Sequence, residues 1–441
     1  MGLCLHGATL VDPATGRTEA ADCWLSDGRI LGLGPQPEPG DWDTVDVTGL
    51  VVCPGLIDVH VHLREPGQEH KETIATGTAA AIAGGFTTLC CMPNTTPPVD
   101  RSKRVADLLG RISADARCRV LPIGCATLDG SADRLSDFAG LLSAGCVAIS
   151  DDAVPIQSPE VATEAVKQAS EASALFVAHC EDKQVSANGA ISAGAVSRDL
   201  GVTGQDPRSE VLGLRLWAQA ATDQGKPFRL HVAHASTEAL VQEVRRLRDE
   251  AASLHLSVET APHYFALTEE AVREQGANAK MNPPLRTERD RRAVRQAILD
   301  GTIQIIATDH APHSSEEKGK GLQEAPWGIV GLETALGVTL TELVHTGDMT
   351  LPAALALMTC NPARLFGLRS AEGLPLGVLQ VGAAADLTLL DPDKEWVVDP
   401  SSFRSKGRNT PFAGRRLRGR SWGVCVGGRL VTNDGDQTLA V

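Results

Sequence analysis

The sequence predicts an α/β fold: a (β/α)8 TIM barrel with a small β-sandwich domain built from both chain ends. Three observations predict it. Eight apolar, β-type runs alternate with Ala-, Leu- and Glu-rich helical stretches through the middle of the chain. Those runs lack the polar/apolar alternation of a half-exposed strand, as parallel strands covered on both faces should. The first fifty and last sixty residues instead read as short strands and turns, with no amphipathic helix.

The elements follow in order. Residues 1–52 hold LCLHGATLVD, a PATG turn and ADCWLSDGRILGLG, in which Asp27-Gly28 marks a hairpin. Residues 53–366 hold the barrel, with strands at LIDVHVH, FTTLCCMPN, RVLPIGC, VAISDD, LFVAHC, FRLHVAH, HLSVETAPH and IQIIATDH. Residues 367–441 return to short β-rich runs, ADLTLLD and SWGVCVGGRLV, which complete the terminal domain.

Composition removes several classes of function. The 441 residues are 42% hydrophobic, enough for a large core, and the 43 glycines and 25 prolines form no low-complexity tract. A formal charge of −14, from 55 acidic and 41 basic residues without a Lys/Arg-rich run, argues against nucleic acid as a partner. The opening MGLCLHGATLVD resembles neither a secretory signal nor a lipidation site, and no apolar run approaches membrane-spanning length, so a cytoplasmic protein without a membrane partner is expected. Eleven cysteines without a CxxC pair fit reduced, buried thiols.

In such a barrel the chemistry collects at the C-terminal ends of the strands. Here those ends carry His60 and His62, Asn94, Asp151 and Asp152, His179, His234, His263, and Asp309 followed by His310 and His313. One histidine at a strand end is usually hydrogen-bonded structure, and an Asp there often caps the next helix. Six ends supplying imidazole or carboxylate to one pocket would cost on the order of several kcal/mol of desolvation unless a cation compensates. His60 and His62, at i and i+2 of a strand, face the same side and can grip one ion. Imidazole and carboxylate without thiolate suit Zn²⁺, with Mn²⁺ or Co²⁺ as alternatives, and six candidate ligands are enough for two ions sharing a bridging carboxylate and hydroxide.

The motifs HVHLREPG, CMPNTTPP, ISDDAVP, VAHCED, HVAHAST, KMNPPLR, ATDHAPH and GIVGLETALG, in that order, resemble the amidohydrolase superfamily and, within it, the bacterial type I dihydroorotases. The resemblance spans most of the chain. It implies two Zn²⁺ per chain, with His60, His62 and Asp309 on the more buried ion, His179 and His234 on the second, and Asp152 bridging them. Asp151 is the alternative bridge, because Ala153 replaces the glycine of the family's SDDG-like segment. The resemblance further implies that Arg64, Asn94 and His313 hold a substrate carboxylate, that Asn282 contacts the substrate ring, and that Asp309 is the catalytic proton carrier. His231 is expected behind the ligands and His263 as a structural residue.

The implied reaction is reversible hydrolysis of the cyclic amide of dihydroorotate to N-carbamoyl-aspartate, in pyrimidine biosynthesis. A proton carrier that starts ionised for hydrolysis must start protonated for ring closure, so the two directions should show opposite pH trends. A homodimer is expected, and association with aspartate transcarbamoylase is compatible with the resemblance. Segment 313–321, HSSEEKGKG, is expected as a loop over the site. Other readings compete, and a metal-free sugar-phosphate barrel enzyme is disfavoured because no Gly-rich phosphate cradle follows strands seven and eight. Hydantoinases and allantoinases share the histidines but bridge their metals with a carboxylated lysine after strand four, and this chain has no Lys between Lys103 and Lys167. An inactive dihydroorotase-like structural partner of aspartate transcarbamoylase would have lost ligands, whereas every expected ligand is present.

Overall fold

The computed structural model describes residues 2–152, 154–433 and 438–439. The chain starts with β1 (Gly2–Asp12), β2 (Arg17–Ser26), β3 (Arg29–Leu33), β4 (Trp42–Asp46) and β5 (Val51–Pro54). It ends with β16 (Leu387–Val397), β17 (Arg416–Val426), β18 (Arg429–Thr432) and β19 (Thr438–Leu439). All nine join one sheet in the order β19-β18-β17-β16-β5-β1-β2-β3, with β4 also on β1. The terminal unit is therefore one continuous sheet rather than two separately hydrogen-bonded ones. Bulges interrupt β1, β3 and β16, and bulges increase local bend and twist. The sheet curls far enough for the hairpin at Gly28 to meet the one at Gly427 and Gly428. Leu3, Leu10, Leu25, Ile30, Leu387 and Leu430 form a core of its own inside that curl.

Between the two halves runs the barrel. Its strands are β6 (Leu56–Val61), β7 (Phe86–Cys91), β8 (Arg119–Cys125), β9 (Ala148–Ser150), β10 (Leu175–Ala178), β13 (Phe228–Val232), β14 (Leu254–Thr260) and β15 (Ile305–Ile306). The short pair β11 (Ile191–Ser192) and β12 (Gly204–Gln205) is an excursion between β10 and β13. All eight expected strands exist, and the ladders that join them run parallel from β6 to β15. Beyond β15 the chain closes the ring: His62 donates its backbone N–H to the His310 carbonyl at 2.8 Å, and Val61 bridges His310 in parallel.

A cluster drawing Ile57, Cys90, Ile123, Val177 and Ile305 from strands all round the ring fills the interior. Ala363, Phe366 and Leu368 belong to the same cluster and plug one end, and Phe366 packs edge-on against His231 at 4.9 Å. With that end shut, the opposite mouth is the open one. The helices owe their starts to side-chain caps that satisfy orphan N–H groups: Thr73 caps Ile74–Gly84, Ser158 caps Pro159–Glu171, and Thr237 caps Glu238–Glu250. No helix among the described residues is long and apolar enough to cross a membrane.

Candidate metal centre and substrate pocket

At the open mouth the strand ends bring six of the expected residues together. His60 and His62 leave β6 two residues apart, with ring centroids 5.5 Å from each other. Asp309, just past β15, puts Oδ1 3.1 Å from His62 Nε2 and 3.5 Å from His60 Nε2. Past β10 and β13, His179 and His234 face one another, Nδ1 to Nε2 at 2.9 Å. Asp152, after β9, lies between the two sets. Its Oδ1 is 3.6 Å from His60, 3.4 Å from His179 and 3.8 Å from His234, and its Oδ2 is 3.5 Å from His62. The donor atoms of His60, His62 and Asp309, and those of His60, Asp152 and His234, are close enough for each set to hold one ion.

The residues fit a cation. The buried Nε2 of His60 has no hydrogen-bond partner among the described residues although it is aimed at two carboxylates. All six residues are buried, so the charges have little water to lean on. Three residues of the mouth, Arg64, His234 and Asp309, also hold φ values of +62°, +35° and +48°. Left-handed backbone costs non-glycine residues about 1–3 kcal/mol each and gathers where function over-determines the structure.

Asp151 turns away from this group. Its carboxylate accepts the backbone N–H of Ile156 and of His179, both at 3.0 Å, so it ties the β9 loop to the end of β10. Burial pushes its pKa up to about 7. Of the two aspartates, Asp152 is the one among the imidazoles.

Behind the imidazoles stand carboxylates that sequence reasoning missed. Glu259, at the end of β14, has Oε1 2.6 Å from His60 Nδ1 and Oε2 3.1 Å from His231 Nε2, and all three side chains are buried. His231 Nδ1 lies 2.8 Å from Ser257 Oγ, so His231 sits behind Glu259 and His60 rather than among the mouth residues. Glu181 plays the corresponding part for His179, Oε2 to Nε2 at 2.9 Å. A carboxylate on the far ring nitrogen fixes tautomer and ring orientation. The available signal was an acidic residue inside an otherwise apolar strand, as in SVET. His263 is buried, its Nε2 is unpartnered among the described residues, and burial depresses its pKa to about 3.

The expected substrate residues fall into two groups. Arg64 and His313 adjoin, Nη2 to Nε2 at 3.3 Å, and Arg64 Nε donates to the Pro312 carbonyl. Burial lowers the guanidinium pKa to about 10 against the pull of Asp309 and Asp152, leaving it charged at neutral pH. Gly67, which ends the REPG turn, has φ +91°, and a Cβ there would meet the Thr96 carbonyl oxygen at 2.0 Å; only glycine fits. Asn94 and Asn282 are engaged by the centre itself. Asn94 Oδ1 lies 2.8 Å from His62 Nδ1 and its Nδ2 donates to Asp152 at 3.3 Å; Asn282 donates to Glu181 and accepts from Gln205.

The loop expected at 313–321 is a capped helical turn, Ser315–Lys318, with Ser314 as its cap. Buried Lys318 Nζ donates to the carbonyls of Lys280, Pro326 and Gly328, which a free loop would not do. Asn409, from the NTPFAG stretch, accepts the backbone N–H of His313 and donates to Ala311 and Gly328.

A parallel barrel whose strand ends converge four imidazoles and two carboxylates on one mouth defines a metal-dependent amidohydrolase. Residues 49–221 match a family model described as dihydro-orotase-like. Curated dihydroorotases are similar over nearly the whole length. That of Pelotomaculum thermopropionicum is 43% identical, covering 98% of this chain and 99% of its own, and that of Halalkalibacterium halodurans is 42% identical, covering 97% of each. The fold also matches the L-hydantoinase (dihydropyrimidinase) of Arthrobacter aurescens, with a TM-score of 0.86 at 24% identity over 99% of this chain and 97% of that one. The chain belongs to the dihydroorotase family.

Proposed function

We propose that this enzyme interconverts dihydroorotate and N-carbamoyl-aspartate at the mouth of the barrel, with two Zn²⁺ held by His60, His62, Asp152, His179, His234 and Asp309. The observation that carries the reading is the placement of Asp152, within 3.4–3.8 Å of four imidazoles drawn from three different strands. When bound, the ions supply Lewis acidity and bring the ionisation of water towards about pH 7.

The chain's own residues do the rest. Arg64, beside His313, pairs with the substrate carboxylate; a guanidinium suits a planar carboxylate, and its burial strengthens the pair. That anchors the cyclic amide under the carboxylates of Asp152 and Asp309. Asn282, on the His179 side, is assigned to the ring, exchanging its bond with Gln205 for one with substrate. Asp309 Oδ1 faces the rings of His60 and His62, whose positive charge holds its carboxyl low, to about 2, against the burial that would raise it, and bound ions would put positive charge in the same place. It therefore starts as a base: it takes the proton of the attacking water and returns it to the departing amide nitrogen. Glu259 and Glu181 keep the rings of His60 and His179 in one orientation throughout.

Hydantoinase-type chemistry lacks its bridging group here, since Asp152 occupies the position after β9 and no lysine lies between Lys103 and Lys167. Metal analysis of the purified chain, combined with ultraviolet assay of dihydroorotate before and after chelation, tests the reading. We expect about two zinc ions per chain, loss of turnover on chelation and recovery on re-addition. Undiminished turnover in metal-free protein would refute it, as would hydantoin outpacing dihydroorotate.

A further inference from the structure

A second cavity opens on the flank of the molecule, where the helices Ile74–Gly84 and Ala335–Thr339 meet β17 and β18. It encloses about 700 Å³ and shares no residue with the metal centre. Sites for small organic ligands have this size.

Its charge is unusual for a chain of net −14. Arg117, Arg404, Arg420 and Arg429 all line it, and all four are exposed. Among the described residues none of them pairs with a carboxylate. The neighbouring Arg415, Arg416 and Arg418 do, with Glu342, Glu395 and Asp393. Arg420 lies over the face of Trp396, 5.1 Å from the ring centre, which holds its guanidinium in place without neutralising it. The carboxylate in the wall, Glu333, is occupied with the backbone N–H groups of Arg404 and Ser405, at 2.9 and 3.1 Å.

Leu336 and Phe403 add apolar wall beside the cations.

From these groups we infer that the cavity binds an organic polyphosphate of nucleotide size. Guanidinium groups pair with phosphate oxygens bidentately, and the apolar wall accepts a heterocycle that inorganic phosphate lacks.

Isothermal titration calorimetry of the metal-loaded, full-length chain with ATP at about 50 mM salt tests this, screening being weak there. Saturable binding of one ATP per chain is expected, with tripolyphosphate at least tenfold weaker and adenosine undetectable. The double variant Arg404→Glu/Arg429→Glu should lose at least tenfold in ATP affinity while its circular dichroism and dihydroorotate turnover stay unchanged. Saturating N-carbamoyl-aspartate should leave ATP binding intact. Should the double variant fold poorly, Arg117→Ala and Arg404→Ala singly are expected to weaken binding severalfold. Absence of saturable binding, equal affinity for tripolyphosphate, indifference to these substitutions, or displacement by N-carbamoyl-aspartate would each overturn the inference.

Discussion

His60 is held from two directions, with Glu259 2.6 Å from Nδ1 and the carboxylates of Asp152 and Asp309 within 3.6 Å of Nε2. Burial works against a charged ring, and the surrounding acids overcome it, lifting its pKa to about 10 in the absence of a cation. A bound cation would take the place of that proton. Glu259 therefore sets the energy of the centre without touching an ion. Glu259→Gln keeps the shape but removes the charge, and should weaken zinc affinity about 10- to 100-fold, the usual cost of losing such a partner. Equilibrium dialysis with metal analysis reads this directly, and unchanged affinity would remove Glu259 from the centre. The imidazoles and carboxylates that meet at the mouth were legible in the sequence because each ends an apolar run. Glu259 was not, because its importance comes from a contact 199 residues away in the chain.

The rim segment His313–Gly321 joins the pocket to the rest of the molecule. As sequence it is polar and Gly-containing, the composition of a free loop. The fold overrides that composition by burying Lys318, whose Nζ donates to the carbonyls of Lys280, Pro326 and Gly328 and so ties the segment to two others. Lys318→Met retains the aliphatic stem and deletes those bonds. Amide exchange across residues 313–321 should then accelerate, and KM for dihydroorotate should rise severalfold as His313 loses its support, while metal content is unaltered. Exchange as slow as in the parent would show that Asn409 and the Ser314 cap suffice alone.

Across the whole molecule, terminal sheet and barrel are fastened at buried polar points, and Glu333 is one of them. It receives the backbone of Arg404 and Ser405, and burial lifts its pKa to about 7, with Glu72 adding to the rise. For an acid whose folded pKa exceeds its unfolded one, the native state binds more protons between the two values. Stability from this group is therefore full below about pH 4.5 and declines as pH climbs to about 7. Glu333→Gln has no such slope, so its melting temperature relative to the parent should improve from pH 5 to pH 8. A pH-independent difference would contradict the assignment. The sequence by itself determined the barrel, because strands buried on both faces must be apolar throughout, and it marked the residues that meet at the mouth, because polar groups interrupt such runs at their ends. It also located both halves of the terminal unit. The tertiary structure alone decided that this unit is one curled sheet, that Asp152 rather than Asp151 faces the imidazoles, that glutamates stand behind the histidines, and that four arginines share a cavity. Each of these is a meeting of residues distant in the chain, and a local pattern carries no information about such distances.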